Sequence, residues 1–521
     1  MQYQIPKQAN ERFESVMSKT DVNRNSLCKV GIQGLDEILC GGLPHNRLYV
    51  IQGDPGVGKT TMAMLFLLKG LQEGEKGFYI TLSETKEELE QTAASHGWSL
   101  DGLEILELST IEKQLHTLSP DTIFHSSEIE LNRTTEFLIN EIDRVKPVRL
   151  VLDSLAELRL MSETPLRYRR QMLALKQYFA GRRVTVLLLD DMTEHRDQQV
   201  QSIAHGVIGL EMFSPDYGPE RRRLRVIKLR GVNFHAGYHD YVMRKGGIDI
   251  FPRLVASDYV GERTAEEFTT GIPELDLLLG GGITRGTSTL LIGPAGVGKS
   301  TIAAQIAADT SRRGERAAIF TFDENRFTFI HRGDSLGMNL SKHLEDDKMM
   351  IKQVDPGSLT PGQFVHRIKH EALERGTSLI VIDSINGYLN AAPDEKFLSV
   401  HLHELLTFLG HHNVSTIFTV AQQSMVGSLL NPFDVTYLAD TVVLLRFFEA
   451  AGRVRKAVSV TKKRTGKPED TIREFVIEKI GVRVGKPLTE FHGVLTGVPT
   501  FTGQQKKMLK RTDGSTVLFQ R

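Results

Sequence analysis

One eight-residue pattern occurs twice in this chain: GDPGVGKT at 53–60 and GPAGVGKS at 293–300. Both fit G-x-x-x-x-G-K-[ST]. Backbone N–H groups can close around phosphate oxygens only where glycine leaves room, and the following helix must present its positive N-terminal end. The pattern therefore calls for a strand running into the loop and a helix leaving it. RLYVIQG and STLLIGP are apolar strand segments that enter the two loops, and TTMAMLFLLKGLQEG leaves the first with helical periodicity and stops at glycine.

The loops belong to a larger repeat. GIQGLDEILCGGLP (31–44) matches GIPELDLLLGGGIT (271–284) at an offset of 240. FYITLSET (78–85) matches IFTFDENR (319–326) at nearly the same offset. RLVLDSL (149–155) matches LIVIDSI (379–385) at 230, and VIKLRG (226–231) matches VTKKRT (460–465) at 234. Four matches in one order mean tandem duplication. The expected layout is a tail at 1–24, a first domain at 25–255, a second at 256–487 and a tail at 488–521. RLVLD and LIVID read as strands buried on both faces of a mainly parallel sheet, so each half is expected to be a doubly wound α/β domain.

In the first loop the phosphate cradle would be Gly53, Asp54, Pro55, Gly56, Val57, Gly58, Lys59 and Thr60. In the second it would be Gly293, Pro294, Ala295, Gly296, Val297, Gly298, Lys299 and Ser300. The lysines would reach the β- and γ-phosphates of ATP, and Thr60 and Ser300 would hold Mg²⁺. Asp153 and Asp383, each ending an apolar strand, are the expected acidic partners of that metal. A group that deprotonates or orients the attacking nucleophile is expected between loop and aspartate strand. The first half offers Ser83–Glu84 and the second Asp323–Glu324, so Glu84, Asp323 and Glu324 are the catalytic candidates.

Composition excludes other classes. The chain is 40% hydrophobic and 25% charged with formal net charge zero, which disfavours a disordered chain and removes any bulk case for nucleic acid. Basic clusters at Arg221–Arg225 and Lys506–Lys507 read as solvated faces. The two cysteines, Cys28 and Cys40, form no C-x-x-C pair and suit a reducing cytoplasm. No apolar run reaches the ~18–20 residues of a membrane span, and the N-terminus MQYQIPKQANERFE is too polar for a signal peptide.

The tandem GIxxLDxxLxGG segments, the paired loops, LDS and IDS, and KLRG followed by GGIDIFPRL (246–254) resemble the KaiC family, over roughly residues 25 to 495. The resemblance implies tandem RecA-like P-loop NTPase domains. It implies a homohexamer of two stacked rings with ATP between subunits, the first ring a slow ATPase and the second an autokinase. It implies Lys228 and Arg230 in the first ring, and Lys462 and Arg464 in the second, as cations delivered to a neighbour's nucleotide. Family members usually have adjacent glutamates where this chain has Ser83–Glu84, which weakens the case for strong hydrolysis in the first ring. The family's adjacent Ser-Thr phosphoacceptors fall, counted back from LADTVVLL (438–445), on Thr436 and Tyr437. The stretch NGYLNAAPDEKFL (386–398) lacks the arginines usual there. A KaiB-like or signalling partner is implied in turn. Two other readings stay open: a RecA-, RadA- or DnaB-like DNA-processing ATPase, and an ATP-gated scaffold with little turnover.

Overall fold

The computed structural model describes residues 27–107, 127–162, 164–191, 198–214, 218–256, 261, 264–355, 357, 359–390, 395–422, 435–450, 452–494 and 500–501. The 1–24 tail, Lys506–Lys507 and part of the arginine-free stretch lie outside them. The chain divides into two compact units between Arg253 and Leu254.

The first unit is built on a nine-stranded sheet among the described residues. Its strands are β1 (Leu48–Gly53), β2 (Gly77–Thr81), β3 (Glu104–Glu107), β4 (Arg149–Asp153), β5 (Thr185–Asp191), β6 (Gly206–Phe213), β7 (Arg221–Leu229), β8 (His239–Arg244) and β9 (Gly247–Phe251). Their spatial order is 9-8-7-6-1-5-4-2-3. Strands 3, 2, 4, 5, 1 and 6 run parallel, and β7, β8 and β9 continue as an antiparallel meander. The second unit repeats this with β10 (Ser288–Pro294), β11 (Arg316–Thr321), β12 (Met349–Gln353), β13 (Thr377–Asp383), β14 (Ser415–Gln422), β15 (Thr441–Ala450), β16 (Arg453–Lys463), β17 (Arg473–Glu478) and β18 (Gly481–Pro487). Its order, 18-17-16-15-10-14-13-11-12, is the same permutation. These are two tandem RecA-like α/β domains.

Alternation along the central strands explains the layering. In β1, Tyr49 and Ile51 face one way and join Met62, Ala63, Phe66 and Leu67 of helix α1 (Lys59–Gln72). Val50 faces the other way and joins Ile80, Leu152, Leu188 and Phe179. Both faces are covered, which is why these strands read as unbroken apolar runs. Arg149 at the start of β4 is fully buried. Its guanidinium donates to Glu75 at 2.5 Å, Glu73 at 2.6 Å, Lys29 O at 2.7 Å and Phe66 O at 2.9 Å. Gly70 in α1 makes room for it, since a Cβ there would meet Arg149 Cδ at 2.6 Å.

The basic cluster 221–225 lies on β7. Arg223 pairs with Glu211 at 2.9 Å and stacks 4.0 Å over Tyr238, and Arg222 pairs with Glu220 at 3.1 Å. These arginines are committed to the sheet's own surface. Among the described residues no helix is long and apolar enough to cross a membrane.

Candidate nucleotide sites

Each glycine loop leaves the end of a central strand and opens a helix, α1 in the first unit and α3 (Lys299–Arg312) in the second; α2 (Lys86–His96) lies between them in the chain. The glycines are required by geometry. A Cβ on Gly53 would sit 2.6 Å from Leu210 O, and one on Gly293 would sit 2.3 Å from Leu445 O. Gly58 and Gly298 precede the helices at φ +98° and +121°, which L side chains rarely adopt. Around Gly56 and Gly296 nothing lies within 4 Å of the Cβ position, so the loop crest is open. Asp54, Pro55, Gly56, Ala295 and Gly296 are exposed, while Val57 and Val297 anchor the loops in the core. Tyr241 donates to Val57 O at 2.7 Å, bracing the first loop from β8.

The lysines fold back over their own loops. Lys59 Nζ donates to Gly53 O and Asp54 O, both at 2.9 Å, and Lys299 Nζ to Gly293 O at 2.9 Å and Pro294 O at 2.8 Å. Lys59 makes a third contact, with Asp191 Oδ1 at 2.6 Å. Burial lowers the pKa of Lys299 against the opposing pull of Asp383 and Asp323.

Both strand-end aspartates sit under the helix-opening hydroxyls. Asp153 Oδ2 accepts from Thr60 at 3.1 Å and from Tyr79 at 2.6 Å. Asp383 Oδ1 accepts from Thr419 at 2.5 Å, and Ser300 also hydrogen-bonds this carboxylate. Burial raises both carboxyl pKa values, and Asp191 raises that of Asp153 further. A half-buried hydroxyl over a buried carboxylate, beside an open loop crest, fits Mg²⁺ bound with a triphosphate. The Asp153–Ser154 and Asp383–Ser384 peptide bonds are both cis.

The acid pairs differ between the units. β2 and β11 both end on threonines, and Thr81 lies beside Asp153 as Thr321 lies beside Asp383. The offset there is therefore 240, and the alignment of FYITLSET with IFTFDENR is one residue out of register. Ser83 stands opposite Asp323 in this frame. Asp323 Oδ2 accepts from Ser384 Oγ at 2.5 Å, whereas in the first unit Ser154 Oγ is buried without a hydrogen-bond partner. Glu324 is clamped by Arg332 of helix α4 (Arg326–Ser335), which donates at 2.7 and 3.1 Å and also reaches Thr301 at 2.8 Å. Thr92 is the first-unit counterpart of Arg332, and Glu84 Oε2 is buried without a hydrogen-bond partner. Burial raises the Glu84 pKa, with Asp153 and Glu88 adding to it.

Lys228, Arg230, Lys462 and Arg464 lie away from the loops of their own units. Lys228 pairs with Val207 and Val207 with Val50, three residues before Gly53. Lys462 pairs with Val442 and Val442 with Leu290, three residues before Gly293. At ~3.3 Å per strand residue the separation is about 10 Å before the loop begins. Lys228 donates to Gln201 O, and Arg230 to Ser202 O at 3.2 Å. Lys462 donates to Thr436 O at 2.9 Å, and Arg464 to Tyr437 O at 3.0 Å and Asp440 at 3.2 Å. Thr436 is half-buried in the turn before β15, and Tyr437 is exposed.

Tyr79, Asp191, Thr419, Arg332 and Tyr241 were not anticipated from the sequence. Asp191 carried the same signal as Asp153, an apolar strand ending in aspartate.

The family model described as "ATPase: KaiC" matches twice, at residues 28–255 and 268–489. The circadian clock oscillator protein KaiC of Parasynechococcus marenigrum (strain WH8102) is 27% identical over 481 residues, covering 90% of this chain and 92% of that protein. The circadian clock protein KaiC3 of Synechocystis sp. (strain ATCC 27184 / PCC 6803 / Kazusa) is 26% identical, covering 92% and 95%. The KaiC of Acaryochloris marina (strain MBIC 11017) is 26% identical, covering 95% of each. With both halves matched by one family model and two nucleotide loops in equivalent places, this chain belongs to the KaiC ATPase family.

Proposed function

We propose that the chain is a cytoplasmic, hexameric ATPase with serine/threonine autokinase activity, ATP and Mg²⁺ lying between neighbouring subunits. One observation carries this reading: the acceptor candidate Thr436 and the cations Lys462 and Arg464 share the end of the sheet opposite their own glycine loop. Neither acceptor nor cation can serve the site of its own chain across about 10 Å of strand and the loop beyond it. They can serve a neighbour's site, which makes assembly part of catalysis.

In this account Mg²⁺, held by Thr60 and Asp153 or by Ser300 and Asp383, supplies charge neutralisation when ATP is bound. The lysines and loop N–H groups orient the phosphates. In the second unit Asp323 takes the proton of the attacking hydroxyl, and Glu324, neutralised by Arg332, stays structural. A general base typically contributes ~10²–10⁴-fold to the rate. The first unit has Ser83 at that position with Glu84 beside it, so it turns over slowly and chiefly stabilises the ring. A KaiB-like or signalling protein is the partner class that fits a family whose named relatives are clock proteins.

The test is mass photometry with and without Mg-ATP, paired with ³²P incorporation and ATP turnover with and without single-stranded DNA. Nucleotide binding to the assembled state should drive hexamer formation. A monomer at micromolar protein under saturating ATP would rule out the shared site. Turnover stimulated by DNA would favour a DNA-processing ATPase instead.

A further inference from the structure

The lysines of the two glycine loops differ in one contact. Lys59 has three N–H donors, and all are occupied: two by Gly53 O and Asp54 O, the third by Asp191 Oδ1 at 2.6 Å. Asp191 is the last residue of β5 and lies in register beside Gly53. The residue in register beside Gly293 is Ala421, at the corresponding place on β14. Among the described residues, Lys299 has its two loop carbonyls and no carboxylate ion-pair partner. Lys59 is 8% exposed, so its third donor has few alternative partners, while Asp191, 36% exposed, can swing into water.

The lysine of such a loop reaches the β- and γ-phosphates. Its loop carbonyls hold the ammonium from the strand side, and the remaining donor is the one left for phosphate. We propose that Asp191 is a nucleotide-specificity residue of the first site: it occupies the γ-phosphate-facing donor of Lys59 and so penalises ATP relative to ADP. This rests on the reading of the glycine loops as nucleotide sites. Bound ADP, with no γ-phosphate, competes with Asp191 for that donor only through its β-phosphate. Bound ATP must break the pair and then meets the displaced carboxylate beside its γ-phosphate, with Asp153 already close enough to feel the charge of Asp191. Among the described residues no carboxylate pairs with Lys299, so the two sites of one chain settle at different ATP/ADP occupancies in the same nucleotide pool.

The test is equilibrium titration of the full chain with fluorescent ATP and ADP analogues, the second site silenced by Lys299→Met. Asp191→Asn keeps the shape and removes the charge; Asp191→Ala controls for effects of the amide. Both should tighten ATP binding at the first site about tenfold, equivalent to about 1.4 kcal/mol, and ADP binding less than threefold. The reciprocal graft, Ala421→Asp in a Lys59→Met background, should weaken ATP at the second site more than ADP. Unchanged ATP affinity in Asp191→Asn, weaker ATP binding, or equal gains for both nucleotides would overturn the proposal while leaving the nucleotide reading standing. No binding by any variant, with Lys59 and Lys299 both intact included, would overturn the nucleotide reading and this proposal together.

Discussion

Replacing Lys299 by methionine should empty the second nucleotide site and leave the fold in place. The apolar stem is retained, and only the ammonium is lost. Lys299 is 7% exposed, and burial lowers its pKa, so the folded chain holds the charge at a cost. A folded-state pKa below the unfolded value means that protonation of this lysine favours unfolding. Removing the charge relieves that cost but strips Gly293 O and Pro294 O of a donor, and the two changes oppose each other. The net stability change should stay within about 1 kcal/mol, or roughly 2–4 °C in the melting of a domain this size. Binding should suffer far more. The one donor left for phosphate makes a charge-assisted hydrogen bond of roughly 1.5–3 kcal/mol, so its loss should make ATP bind about 10–10²-fold more weakly. Calorimetric titration of the full chain should show two sites in the wild type and one in Lys299→Met, with thermal melting run alongside. Two sites of unchanged affinity in a folded variant would refute the reasoning.

Arg149→Met should destabilise the first unit by about 3 kcal/mol, because two backbone carbonyls and two glutamates lose a fully buried guanidinium; a two-transition melt should lose 6 °C or more in one transition, and an unchanged profile would contradict this. Cys28 is buried with its thiol pKa pushed up to about 12, chiefly by burial, while Cys40 is exposed, so maleimide at neutral pH should add once to the native chain, on Cys40. Rapid double labelling of folded protein would show the reading of Cys28 to be wrong. Arg332→Gln should free Glu324 by removing a 2.7 Å charge-assisted contact and so change the rate of any second-site turnover; a rate identical to wild type would mean the clamp has no bearing on the chemistry.

What could be read from the chain follows from how far apart the interacting residues lie. The glycine loops, the entering strands and Asp153 and Asp383 were legible because each is a local pattern with a local cause: glycine where a Cβ would strike a carbonyl, an apolar run where both faces are covered. The repeat made the second copy a check on the first. The register of the acid segments was one residue off because two apolar runs align almost equally well when slipped, and only the pairing of Thr81 with Asp153 and of Thr321 with Asp383 decides it. Contacts such as Lys59–Asp191, Arg332–Glu324 and Tyr241–Val57 join segments that only the sheet order brings together. LLLDD ends like LVLD, but that local pattern does not say which loop the carboxylate meets; the register of β5 on β1 sets Asp191 beside Gly53. Arg332 had no local signal, being one arginine on a polar helix face.

Phosphate mapping after incubation with Mg-ATP tests the division of labour between the two sites most directly. Intact-mass spectrometry with peptide mapping, run on wild type, Asp323→Asn, Thr436→Ala and Tyr437→Phe, should find one phosphate on Thr436 in the wild type and in Tyr437→Phe. It should find that phosphate lost in Thr436→Ala, and lost in Asp323→Asn while ATP binding persists. Phosphate on Tyr437 alone, or undiminished incorporation in Asp323→Asn, would contradict the account.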